Sequence, residues 1–158
     1  MRRNVVIAAI PAILALALGA VDIPAAPAKA SEGGKVIHHT AVVAQQFFTG
    51  DPNNPQLGDR FVVNVDLFDD SKAKVGHSGS FCTVVGVPPR DTEVQCLADI
   101  VLAEGKITFG GLAPFPPTST PAQFSVLGGT GDFRKARGTF VVFAVNPSTF
   151  DGTIHLLG

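Results

Sequence analysis

The groups in this 158-residue chain that could do chemistry are few: four histidines, two cysteines and thirteen carboxylates, with no Tyr or Trp. Without a phenol or indole, acid or radical relay through those side chains is excluded. Metal binding wants His, Cys or carboxylates clustered at chelating spacing. His38 and His39 are adjacent and, on a strand, point to opposite faces, while His77 and His155 stand apart. No metal site is expected. Gly76-His77-Ser78-Gly79-Ser80 approaches a nucleophile elbow, but Ser80 stands where the last glycine belongs.

The densest group of charges is Asp132, Arg134, Lys135 and Arg137, just after Gly128, Gly129 and Gly131. Glycines followed by basic residues suggest a phosphate cradle only if a helix opens behind them. A β-branched and aromatic run follows instead, from Thr139 to Val145. A structural corner between strands is the better reading, the glycines supplying backbone freedom for a sharp turn.

The elements that must position these groups are strands. Residues 22–34 are rich in Pro, Ala, Gly and Lys. From Val36 onward, alternating stretches near 36–47, 60–69, 74–87, 93–103, 106–112, 122–128, 138–146 and 149–157 are separated by turn residues. No helical period is sustained. About eight short strands at hairpin spacing predict an all-β fold, an eight-stranded antiparallel β-barrel whose closure removes exposed edges.

Hairpins centred at Ser71-Lys72, Pro89 and Glu104-Gly105 sort the side chains by parity. One face collects Phe61, Val63, Val65, Leu67, Ser78, Ser80, Cys82, Cys96, Ala98, Ile100, Leu102, Ile107 and Phe109. It is uncharged and should line the lumen, where small Ser78, Ser80 and Ala98 leave room for a cavity. A binding cavity should reach about 300 Å³; a filled lumen would instead mean a solid-core interaction module. The other face mixes Asp66, His77 and Asp99 with Val62, Phe68, Phe81, Leu97 and Val101. The polar members read as an outward salt-bridged patch or a catalytic cluster, and the apolar ones as a self-association surface. Cys82 and Cys96 fall directly opposite each other about Pro89. A disulfide worth about 3 kcal/mol is expected there, two buried free thiols being the alternative.

The N-terminus reads separately. Arg2 and Arg3, the apolar run Val5–Leu18 and Ala28-Lys29-Ala30 have the layout of a secretory signal peptide over residues 1–30, followed by a linker at 31–35. An uncleaved anchor competes, though the run is short for a span and holds Pro11. Cleavage predicts a secreted protein without stable membrane insertion. Residues 31–158 carry nine Lys and Arg against twelve Asp and Glu, a net −3 too mild and scattered for a nucleic-acid partner.

Gly128-Gly129-Thr130-Gly131-Asp132-Phe133-Arg134-Lys135-Ala136-Arg137-Gly138 resembles the signature of the dirigent and allene oxide cyclase-like barrels. Leu57-Gly58-Asp59, Gly76-His77 before Phe81-Cys82-Thr83, and Leu102–Ile107 before Gly110-Gly111 match it in the same order. The resemblance spans the chain from about residue 36. It implies a calycin-like barrel, association into homodimers or homotrimers through the barrel wall, and chemistry by shape without a cofactor. A hydrophobic small molecule would be held in the lumen while a cyclisation, isomerisation or stereoselective coupling is steered. Phe61, Val63, Val65, Ser78, Ser80, Ile100 and Phe109 would contact it. The chain departs from the cyclase pattern, offering Gln45 and Gln46 where that pattern places a first-strand glutamate, and from the dirigent one, with His38 and His39 in place of an aspartate. Arg137, with Asp132, matches the position associated with the pocket and is expected at the cavity mouth; a salt bridge between the two, bracing the corner, is the competing expectation. A non-catalytic, lipocalin-like carrier is the alternative function.

Overall fold

The computed structural model describes residues 34–158; the expected leader and most of the linker lie outside the described residues. Eight strands follow one another: β1 (Val36–Phe48), β2 (Arg60–Phe68), β3 (Lys74–Gly86), β4 (Glu93–Leu102), β5 (Gly105–Pro114), β6 (Ala122–Gly129), β7 (Gly138–Asn146) and β8 (Thr149–Leu156). Each pairs antiparallel with its neighbours, and β8 returns to β1, closing the barrel.

Alternation in the sequence becomes inside and outside in the wall. Along β4, Val94, Cys96, Ala98 and Ile100 are buried while Glu93, Gln95, Leu97 and Asp99 are exposed. Leu67, Ile100, Ile107 and Ile154 are sealed almost completely, each burial contributing about 1.5–3 kcal/mol. The hairpin about Pro89 has the expected register, and Cys82 and Cys96 face each other and are joined by a disulfide. The β4–β5 hairpin differs from expectation. Its turn is Ala103-Glu104, so Ile100 pairs with Ile107 and Ala98 with Phe109. The displacement shifts each partner by two residues, which leaves every side chain on its expected face.

The two ends of the barrel are built differently. One end gathers the β1–β2, β3–β4, β5–β6 and β7–β8 connections. The other is closed by the β6–β7 segment, which makes one turn of 3-10 helix at Gly131–Phe133, a turn too short to leave a helical period. Gly131 takes φ 59°, and a Cβ there would collide with the Glu104 carbonyl. The Asp132 N–H donates to that carbonyl (3.0 Å) and the Thr130 N–H to the Lys106 carbonyl (2.9 Å), fastening the segment to the β4–β5 turn. Phe133 and Ala136 turn inward from it and are buried, 3% and 8% exposed. The glycine-rich corner is therefore a plug.

Candidate functional site

The lumen keeps a cavity of about 160 Å³ that reaches the end opposite the plug. Phe61, Val63, Val65, Ser78, Ser80, Ile100 and Phe109 all line it, together with both cysteines. The volume is about half the 300 Å³ that a binding cavity should reach, so the lumen stands between a full-sized binding site and the solid core of an interaction module. The reason lies in strands whose faces the sequence reading did not sort: Phe124 from β6 and Phe140 from β7 pack against Phe109, at centroid distances of 5.7 and 4.5 Å, and fill that side. Toward the open end, Phe48, Phe61 and Phe115 form a second aromatic group with centroids 5.4–6.5 Å apart.

Among the described residues no Asp, Glu, Lys or Arg lines the cavity. His39 does, and it is the residue sequence reasoning missed. The signal was parity: His39 shares its side of β1 with Ala41 and Val43, while His38 faces outward. The His39 ring is 2% exposed and stacks on Phe140 at 5.6 Å, the planes 19° apart. Gly152 is its partner across the β1–β8 ladder, and a Cβ on that glycine would come within 2.8 Å of Nε2. The missing side chain is what lets the ring lie there. Burial, with the neighbouring His38 charge adding to it, pushes the imidazole down to about 4, so it is neutral at ordinary pH. Ser78 is the other buried polar side chain among the described residues.

Arg137 and Asp132 are not at the cavity mouth. They belong to the plug at the other end, and neither lines the lumen. The Arg137 guanidinium donates to the carbonyls of Ala136 (2.7 Å) and Leu127 (3.4 Å), and no ion pair joins it to Asp132 among the described residues. The sequence could place the pair on the β6–β7 connection but not say which end that connection closes. Asp66 and His77 are partners across the β2–β3 ladder, but among the described residues no hydrogen bond or ion pair joins Asp66, His77 and Asp99. Asp66 pairs with Lys74 at 2.7 Å, and Asp99 accepts from the Thr108 hydroxyl at 2.6 Å.

A larger hollow of about 660 Å³ lies on the outer wall across β1 to β5. Phe47, Val62, Phe81 and Leu97 line it and are 44–64% exposed, whereas Phe68 and Val101 of the expected apolar face are half-buried. This hollow is open and holds Gln45, Gln46, Asn64 and Asp99, so it suits a flat contact better than the enclosure of a small molecule.

Residues 37–156 match the family described as the allene oxide cyclase barrel-like domain. Among solved structures, the chain is similar to a pyocyanin demethylase, with 26% identity over 77% of this chain and 99% of that one and a TM-score of 0.68. An exo-specific intermolecular Diels–Alderase aligns at 17% identity over 79% and 98% of the two chains, TM-score 0.69. A pterocarpan synthase dirigent protein aligns at 14% over 81% and 93%, TM-score 0.60. No curated protein matches the sequence.

Proposed function

The chain belongs to the allene oxide cyclase barrel-like family, and we propose that it holds a hydrophobic small molecule in its lumen and steers a cyclisation, isomerisation or stereoselective coupling without a cofactor. The observation that carries this reading is the lumen itself: a cavity enclosed by apolar and aromatic side chains, free of fixed charge and open at one end. Such a site excludes water and holds reacting atoms in a near-attack geometry, which can supply several kcal/mol without an acid or base. Structural neighbours named as a Diels–Alderase and a demethylase support small-molecule chemistry inside this barrel type. At about 160 Å³ the cavity favours a compact substrate over a long acyl chain.

The test is native mass spectrometry of protein isolated from its own host, followed by incubation of whatever is bound. A rearranged or stereo-enriched product supports the steering role; recovery of the compound unchanged makes the protein a carrier. A lumen that takes up no ligand overturns the reading.

The disulfide is compatible with an oxidising compartment, and we place the mature protein outside the cell after removal of residues 1–30. Two or three copies associate through the outer hollow, where Phe81 and Leu97 would otherwise face water.

A further inference from the structure

We propose that His39 is the recognition point of the lumen: its imidazole accepts a hydrogen bond from an O–H or N–H of a flat, uncharged aromatic ligand. The proposal rests on the lumen being the binding site and adds the class of molecule that fits it.

Three observations carry it. First, the His39 ring lines the cavity and no hydrogen bond joins either ring nitrogen to a described residue; since none of the described residues has a sealed side-chain nitrogen or oxygen without a partner, both ring nitrogens are reachable from the cavity. A neutral imidazole has one N–H and one bare acceptor nitrogen. The N–H can rest weakly against an aromatic face, and the lining is rich in those. The lone pair has no such substitute: the hydroxyls of Ser78, Ser80, Thr118 and Thr120 line the same cavity, yet none donates to it. An acceptor left open to the cavity is free to take a donor from a ligand that displaces water from it.

Second, room is kept for the ring. Gly152 beneath it has no side chain, and Phe140 holds its plane. Phe124 lies nearly parallel to Phe140, centroids 6.3 Å apart, and Phe109 presents an edge to both, so a flat aromatic ligand meets an aromatic wall beside the imidazole. Third, the described residues of the lining include no charged group to receive an ionised ligand, and an ion stripped of water without a counter-charge is disfavoured. Burial keeps His39 itself uncharged at neutral pH, in agreement with an uncharged pair.

The test uses matched probes at pH 8: 2-naphthol, 2-methylnaphthalene of nearly the same shape, and charged 2-naphthoate. Followed by probe fluorescence, His39→Phe weakens 2-naphthol about tenfold, the worth of one hydrogen bond, and leaves 2-methylnaphthalene within about twofold. His39→Gln, which restores an acceptor, recovers part of the loss. In the unaltered protein, the bare ring nitrogen of His39 shifts in a 15N spectrum on adding 2-naphthol and not on adding 2-methylnaphthalene. Equal weakening of both probes by His39→Phe, an unmoved ring nitrogen, or tighter binding of 2-naphthoate overturns the proposal while leaving the lumen as a binding site. If neither uncharged probe binds the unaltered protein, the lumen reading falls and His39 with it.

Discussion

His38 and His39 show how far one peptide bond separates two chemistries. His38 lies on the outer wall with Nδ1 2.7 Å from an Asp70 carboxylate oxygen and Nε2 3.1 Å from Asp151. The hydrogen bond to Asp70, then that to Asp151, raises it above 6.5. Its contribution to stability is therefore complete below the unfolded value and lost as pH rises through the folded one. His39 has the opposite sign. With a folded value near 4 against 6.5 unfolded, the unfolded chain binds the extra proton between those values. Its contribution is complete above pH 6.5 and lost on the way down to pH 4, about 3 kcal/mol in all. Urea titrations across that window should show His39→Phe with a flatter pH dependence than the unaltered protein. Identical slopes would mean that the ring is hydrated rather than buried. The outward and inward histidines were legible as a pair on opposite faces. Which of them was inside was only weakly marked, by the Ala41 and Val43 that share the His39 side of β1 against the Thr40 and Val42 that share the His38 side.

At the scale of the element, the plug and the Pro89 hairpin are the two features that hold the cavity's shape. Phe133 is the plug's anchor, 3% exposed, with the Lys35 ammonium 5.0 Å above its ring. Phe133→Ala leaves a void at the closed end and should cost about 3–5 kcal/mol in denaturant unfolding. Arg137→Ala, by contrast, removes an exposed side chain bonded to carbonyls of its own segment, and should change stability by less than about 1 kcal/mol and ligand affinity not at all. A loss of ligand affinity in Arg137→Ala would return that residue to the mouth. The Cys82–Cys96 bridge spans 14 residues, so removing it by the double Ser substitution should cost about 3 kcal/mol; unchanged unfolding midpoints would contradict that value. Strand order, strand limits and the cysteine pairing could be read in the chain because alternation and turn residues are local. The plug could not. Three residues of 3-10 helix leave no period, and the inward turn of Phe133 is fixed by hydrogen bonds to residues 24 to 28 positions earlier.

At the scale of the described barrel, the lumen and the outer hollow are concave surfaces of opposite character, one enclosed and one open. If a second copy docks on the outer hollow, floored by Phe81 and Leu97, as proposed above, Leu97→Asp should convert the associated form to monomer in light-scattering chromatography without altering the β-sheet circular dichroism. An unchanged mass would move the contact elsewhere. Parity separated this wall from the lumen at the sequence level for strands two to five. It overstated the size of the hollow because strands six to eight contribute Phe124, Phe140, Phe143 and Phe150 to the same interior. The central proposal is that a small molecule enters the lumen rather than the outer hollow. Methyl-labelled NMR during a 2-naphthol titration decides this most directly. The account predicts shifts at Val65, Leu67, Ile100 and Val142, whose side chains line the lumen, with Val62 and Leu97 on the outer wall unmoved. Shifts confined to Val62 and Leu97 would contradict it.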